Sequence, residues 1–290
     1  MKKPATKSET KGKETPSDQI ASARRTAYLR EKGVKADELQ LSFVFPILER
    51  EDLRHMPNDY ARSSLFTACS RKTPRKTFLR ETLFHYNEHV SIRYTGVELR
   101  AEDDELVWMQ IMHFAKQIPF GKPFEFALID VMKELGWARN GRNYERVREC
   151  ISRLKANEIL VSNSKAYGIS ASMSLIQNYE AVNDIDGVAT VYRVWIDPSL
   201  MLLFAGHTFT SHEWDIYRKL TAIARRLADC MGSHKAPYPL AISKFQGICG
   251  SRNVNIRSFR QSVQKACEEL QASGFAQRAS LADTSIVCIR

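Results

Sequence analysis

Residues 142–156, RNYERVRECISRLKA, and residues 255–272, NIRSFRQSVQKACEELQA, decide the fold. Each reads as a charged helix with one apolar stripe. At about 100° per residue, Tyr144, Val147, Ile151 and Leu154 share one side of the first, and Phe259, Val263, Ala266 and Leu270 share one side of the second. The two stretches also repeat each other. Val147, Ile151, Leu154, Ala156 and Ile159 meet Val263, Cys267, Leu270, Ala272 and Phe275 at an offset of 116, and Leu135-Gly136 meets Cys249-Gly250 at an offset of 114.

The neighbours of both helices repeat as well. Ahead of the first, Asp103 and Asp104 open a helix where carboxylates suit the positive end of its dipole, and Leu106, Val107, Ile111 and Phe114 follow at helical spacing. Pro119 and Gly121 stop it, residues 124–126 are extended, and a short helix over 129–135 is closed by Gly136. Beyond the long helix, 159–162, 172–179 and 188–196 read as strands, with a turn at 183–187. The second copy has a helix over 212–231, an extended piece at 237–240, a short helix over 242–248 closed by Gly250, and a final hairpin from 275–279 and 285–289. Helix, short strand, helix, turn, helix, hairpin is the order of a winged helix. The expectation is therefore an α+β chain with two tandem winged-helix domains, at 55–206 and 207–290. An additional pair of strands is expected over 77–95, joined across Asn87.

Composition sets the outer limits. The 290 residues carry 43 Lys plus Arg against 33 Asp plus Glu, a net charge of +10, and 43 % are hydrophobic, which is a globular balance. Residues 1–36 hold ten of the basic groups against four acidic ones and few large apolar residues, so 1–38 is expected to be a disordered basic tail. The longest apolar run, residues 200–205, is far below the roughly 20 residues that span a bilayer. Six cysteines without a C-x-x-C pair suit reduced thiols, so a cytoplasmic protein away from membranes is expected. No P-loop and no His-x-x-Arg occurs, and His85 and His89 lack a third ligand. Glu102 to Glu105 is explained by a helix start. No catalytic residue, metal or cofactor is expected.

What remains is the face opposite each apolar stripe. Arg142, Arg146 and Arg153, with Asn143 beside them, are expected on the outer side of the first long helix, and Arg257, Gln261, Gln264 and Lys265 on that of the second. Arg pairs bidentately with guanine and Gln with adenine in the major groove, which makes double-stranded DNA the expected partner. Arg252 and Asn255, in the loop before the second helix, suit capping and phosphate contact. Two such heads on one chain favour an asymmetric direct repeat. A linker over 39–54 contains Gln40-Leu41-Ser42-Phe43-Val44-Phe45 before Pro46, the form of a peptide that docks extended in an apolar groove, or of an edge strand.

Several ordered stretches then resemble the TrfA family of plasmid replication initiators: Met56-Pro-Asn-Asp59, Ala61-Arg-Ser-Ser-Leu-Phe66, Tyr94-Thr-Gly-Val-Glu-Leu-Arg100, Asp103-Asp-Glu-Leu-Val-Trp108, Asn140-Gly-Arg142, Leu203-Phe-Ala-Gly206, Tyr217-Arg-Lys-Leu220, Pro237-Tyr-Pro239 and Ala266-Cys-Glu-Glu-Leu270. The resemblance runs from about Gln40 to the C-terminus. It implies a DNA-binding initiator that occupies repeated origin sites (iterons), opens adjacent AT-rich DNA and recruits host replication proteins. The partners so implied are origin duplex, single-stranded AT-rich DNA, and the host sliding clamp, helicase and initiator, with a monomer on DNA beside an inactive homodimer. Family members contact the clamp through Gln-Leu-Ser-Leu-Phe; Gln40, Leu41 and Ser42 match, and Phe43 and Phe45 flank one inserted apolar position. A tandem winged-helix transcriptional repressor is the alternative.

Overall fold

Alternation of apolar residues and helical periodicity build the molecule in turn. The computed structural model describes residues 50–116, 118, 121–163, 170–183, 189–204, 208–235, 238–253 and 255–289. The basic tail and the Gln40, Leu41, Phe43 and Phe45 peptide lie outside the described residues.

β1 (Leu53–Pro57) leads into a one-turn helix, α1 (Asn58–Ala61), and the short β2 (Phe66–Thr67). β3 (Thr77–Thr82) and β4 (Val90–Val97) form the expected antiparallel pair, in which Val90, Ile92 and Tyr94 alternate into the core. β5 (Leu99–Arg100) runs parallel to β2. α2 (Asp104–Ala115) is almost wholly buried, and the Asp103 side chain caps it by accepting from Asp104 N.

There follow β6 (Phe124–Ala127), α3 (Leu128–Leu135) and α4 (Gly141–Lys155). After α4 the chain forms β7 (Asn157–Asn163), β8 (Ser170–Met173), β9 (Asn178–Asn183) and β10 (Ala189–Trp195). Here the structure departs from the single strand expected over 172–179. β7 and β8 extend the first hairpin into the sheet β3-β4-β7-β8, and the chain then crosses at the buried Leu175 and Ile176 to a separate sheet, β6-β10-β9. The crossing is fixed by Ile176 N donating to Leu154 O and Gln177 N to Trp195 O.

A short 3₁₀ turn (Pro198–Leu200) and α5 (Met201–Phe204) lead to β11 (Phe209–Glu213), which pairs antiparallel with β1 from Leu53↔Glu213 to Pro57↔Phe209. The helix expected over 212–231 is a strand end, one turn of α6 (Trp214–Tyr217), and then α7 (Ala222–Gly232). Buried Trp214, Tyr217, Leu220 and Leu227 keep a helix-like spacing across the break, but Thr221 is extended and its hydroxyl caps α7 by accepting from Ala224 N. The chain closes with β12 (Leu240–Ala241), α8 (Ile242–Ile248), α9 (Ile256–Ala272), β13 (Arg278–Ala282) and β14 (Ser285–Ile289). Their sheet order, β12-β14-β13, reproduces β6-β10-β9. One connectivity thus occurs twice, the first time with β7 and β8 inserted.

Candidate nucleic-acid interface

Each long helix is set by a turn and a cap. Before α4, Gly136 adopts φ 68°, and a Cβ there would meet the Arg218 guanidinium at 2.5 Å. Asn140 then caps the helix by accepting from Asn143 N at 2.9 Å. Before α9, Gly250 adopts φ 55° against Thr67, and Asn255 caps by accepting from Ser258 N at 3.1 Å. The buried residues are Val147, Cys150, Ile151 and Leu154 in α4 and Phe259, Val263, Ala266, Cys267 and Leu270 in α9.

In α9 the outer face is as expected. Arg257, Gln261, Gln264 and Lys265 are all exposed, and their spacing keeps them within about 100° of one another. Gln264 donates to Glu268 at 2.9 Å, an exposed contact that a ligand can displace. Asn255 is committed to its cap.

In α4 the outer face differs from expectation. Cys150, not Tyr144, completes the buried stripe, and this turns two arginines against the start of α2. Arg153 retains 14 % of its side-chain exposure and contacts Asp104 at 2.9 Å and Glu149 at 3.3 Å. Arg146, 17 % exposed, has its guanidinium carbon 3.6 Å from the Trp137 ring centre, donates to Glu102 O at 3.1 Å and lies 3.9 Å from Asp103. The Asn143 amide donates to Ala138 O at 2.7 Å and holds the turn. Arg142 stays exposed. Arg252 is likewise engaged, 2.9 Å from the buried Glu98 and donating to Pro74 O at 3.2 Å. The placement of Arg146 and Arg153 in solvent is therefore corrected, and Arg252 is tied as well: each meets a carboxylate brought from far along the chain.

Sequence periodicity missed the centre that draws these arginines in. Asp104 is fully buried between Arg153 and Arg75, and also accepts from Arg100 N at 2.8 Å. Burial holds its carboxyl above the usual range, against the pull of Arg153 and Arg75. The carboxylates of Asp103 and Asp104 and the thiol of Cys150 lie within 4.8 Å of one another, a spacing that could hold a metal ion. Yet Arg75 contacts both carboxylates, and burial raises the Cys150 thiol well above its ordinary range, so it is a poor thiolate ligand.

A second buried centre joins the two repeats. Arg226, fully buried, contacts Glu105 at 2.9 Å and Asp229 at 2.6 Å, and donates to the carbonyls of Tyr60, Ala61 and Ser63. Arg225 donates to Ala101 O, and Tyr217 to Asp229 at 2.9 Å. With the β1–β11 pairing, these contacts tie the second repeat to the first. Among the described residues no helix is long and apolar enough to cross a membrane.

Residues 7–290 match the family described as TrfA protein. The plasmid replication initiator protein TrfA of Escherichia coli is 40 % identical over 273 residues, which covers 94 % of this chain and 71 % of that protein. Among solved structures, selenomethionine derivatives of domains 2 and 3 of RctB align with a TM-score of 0.56 at 14 % identity, covering 80 % of this chain and 96 % of theirs. Another structure of RctB domains 2–3 gives 0.52 at 14 % identity, over 73 % of this chain and 83 % of that one. At such identity the likeness concerns the fold alone.

Proposed function

The chain belongs to the TrfA family, and from that premise we propose that it initiates plasmid replication by binding direct repeats in origin DNA through two winged-helix units, residues 55–206 and 207–290. In this reading α4 and α9 enter successive major grooves, β9–β10 and β13–β14 serve as wings, and the chain has no catalytic step of its own. The single observation that carries it is the exposed set Arg257, Gln261, Gln264 and Lys265 on one face of α9. These side chains match base edges, and nothing apolar competes on that face.

Strand opening then draws on binding energy rather than nucleotide hydrolysis. Bending a site by 40–90° costs on the order of 1–6 kcal/mol, which an interface with two reading heads can supply. The opened AT-rich strand and the host helicase, initiator and sliding clamp are the partners this role requires. For the clamp, Gln40, Leu41, Phe43 and Phe45 supply an apolar peptide with a polar lead residue. Loss of clamp capture on Leu41→Ala with Phe45→Ala, at unchanged duplex affinity, tests that contact.

The decisive experiment is selection of bound fragments from random duplex DNA, followed by permanganate footprinting on a supercoiled origin. Enrichment of a direct repeat, with unpaired thymines appearing beside it, is the expected result. A symmetric palindrome without strand opening indicates a repressor instead, and absence of any enriched sequence overturns the reading.

A further inference from the structure

Residues 70–76, Ser-Arg-Lys-Thr-Pro-Arg-Lys, hold four basic groups in seven positions and divide them by direction. Arg75 points inward, 3.0 Å from Asp103 and 2.6 Å from Asp104. Other arginines fasten the loop from below: Arg100 donates to Ser70 O at 2.9 Å and Thr73 O at 2.6 Å, and Arg252 donates to Pro74 O. The Lys76 backbone is held by Glu98, its N–H donating to the carboxylate at 3.3 Å and its carbonyl accepting from Glu98 N at 2.8 Å. Arg71 contacts Glu102 at 2.8 Å with its side chain 43 % exposed. Lys72 and Lys76 are exposed, and among the described residues no carboxylate pairs with either ammonium.

The loop's position is as informative as its charge. It rests on the start of α2, against which Arg146 and Arg153 of α4 also lie, and it touches Arg252, three residues before the cap of α9. It therefore shares the start of α2 with α4 and touches the loop that leads into α9. The guanidiniums of Arg71, Arg75, Arg100 and Arg252 are already matched by Glu102, Asp103, Asp104 and Glu98, so the two exposed ammonium groups are the charges of this loop left for an anion. Lysine is a compact point charge suited to a phosphate oxygen, whereas reading a base edge favours a planar, bidentate group. The pinned backbone also removes most of the ordering entropy a flexible loop would lose on binding.

We propose that Lys72 and Lys76 form a phosphate-binding ridge that grips the duplex backbone beside the two reading helices, independently of sequence. This rests on the reading that α4 and α9 meet double-stranded DNA. Each phosphate neutralised contributes about 0.9 to the log–log salt slope of affinity, so removing both lysines lowers the slope by about 1.8.

The test uses the full chain, with salt titrations on a selected repeat and on a random duplex of equal length. In Lys72→Ala with Lys76→Ala, the slope is expected to fall by about 1.8 on both DNAs, while Lys72→Arg with Lys76→Arg restores it and the melting temperature of neither variant moves. An unchanged slope, or a loss confined to the selected repeat, overturns the ridge while leaving DNA binding in place. Absence of salt-dependent duplex binding by the unaltered chain overturns the functional reading and the ridge together.

Discussion

α4 and α9 hold the same place in two copies of one connectivity, and each buried position of α4 has a buried counterpart in α9: Val147 with Val263, Cys150 with Ala266, Ile151 with Cys267, Leu154 with Leu270; α9 adds Phe259, where α4 has the half-buried Asn143. At their flanks a shared device appears with its charge reversed. Arg153 donates to Asp104 at the start of α2, while Glu269, the residue in register with it, accepts from the backbone and hydroxyl of Thr221, the cap of α7, at 2.7 and 2.6 Å. Each long helix is thus tied to the N-terminus of the helix that opens its repeat. The outer faces differ more. α4 sets Arg142 among the exposed Glu145 and Glu149, whereas α9 presents Arg257, Gln261, Gln264 and Lys265 together with Glu268, whose carboxylate Gln264 engages. The apolar stripe fixes where a helix lies, the neighbouring helix end decides which polar side chains on its flank are held, and only the remainder meets a ligand.

The largest expected effect falls on that flank. Arg153→Ala removes one of two guanidiniums from the fully buried Asp104 while Arg75 still holds it, so the cost is expected at about 3 kcal/mol, the lower end for breaking a buried pair. Urea unfolding should record this loss while duplex affinity of the folded protein is unchanged; a stable variant with weakened DNA binding would return Arg153 to the interface. On the outer face of α9, Arg257→Ala or Gln264→Ala is expected to weaken binding by about 1–3 kcal/mol and to relax preference at one or two base pairs. Equal weakening on every sequence would make them phosphate contacts. A smaller change, about 1 kcal/mol of stability, is expected for Glu269→Ala, because Thr221 N–H and its hydroxyl are exposed and water can replace the carboxylate. A loss as large as that of Arg153→Ala would make the two flank contacts equivalent in energy as well as position.

The same contrast shows what sequence makes legible. Helix-spaced apolar residues located α4, α8 and α9 to within a residue or two, and alternation located the β3–β4 hairpin, because both signals arise inside the element itself. The start of α2 was legible as a helix terminus, but not as an arginine cage, since Arg75 and Arg153 arrive from 29 and 49 residues away. β1 and β11 pair across some 150 residues, and no local pattern announces that register. At Thr221 the local signal misleads: buried Leu220 continues the helical spacing although the backbone there is extended. Of the candidate interface, the α9 face was readable because nothing distant lands on it. The α4 face was not, because its arginines satisfy buried carboxylates first.

The smallest expected effect, and the sharpest test of the contrast, compares two residues at the same distance from their helix starts, one position apart in the register that pairs Val147 with Val263. Arg142 and Arg257 are each the second residue of their helix, each exposed, and each close to the unpaired amide groups of the first turn, where an anion is favoured. Their surroundings separate them. Arg257 is followed on its face by two glutamines that can hold a base edge in place, so it can contribute to reading. Arg142 is followed by Glu145 and Glu149, which repel the backbone and leave one point of attraction at the helix start. Arg142→Ala should therefore lower affinity by less than about 1 kcal/mol, equally on the selected repeat and on random duplex, and flatten the log–log salt slope by about 0.9. Glu149→Lys supplies the converse: removing the repulsion and adding a charge should steepen the slope by about as much, without altering which sequence is preferred. If Arg142→Ala instead shifts the selected sequence, or costs more than Arg257→Ala, then α4 reads bases despite its carboxylates, and the division of labour between the two helices is broken.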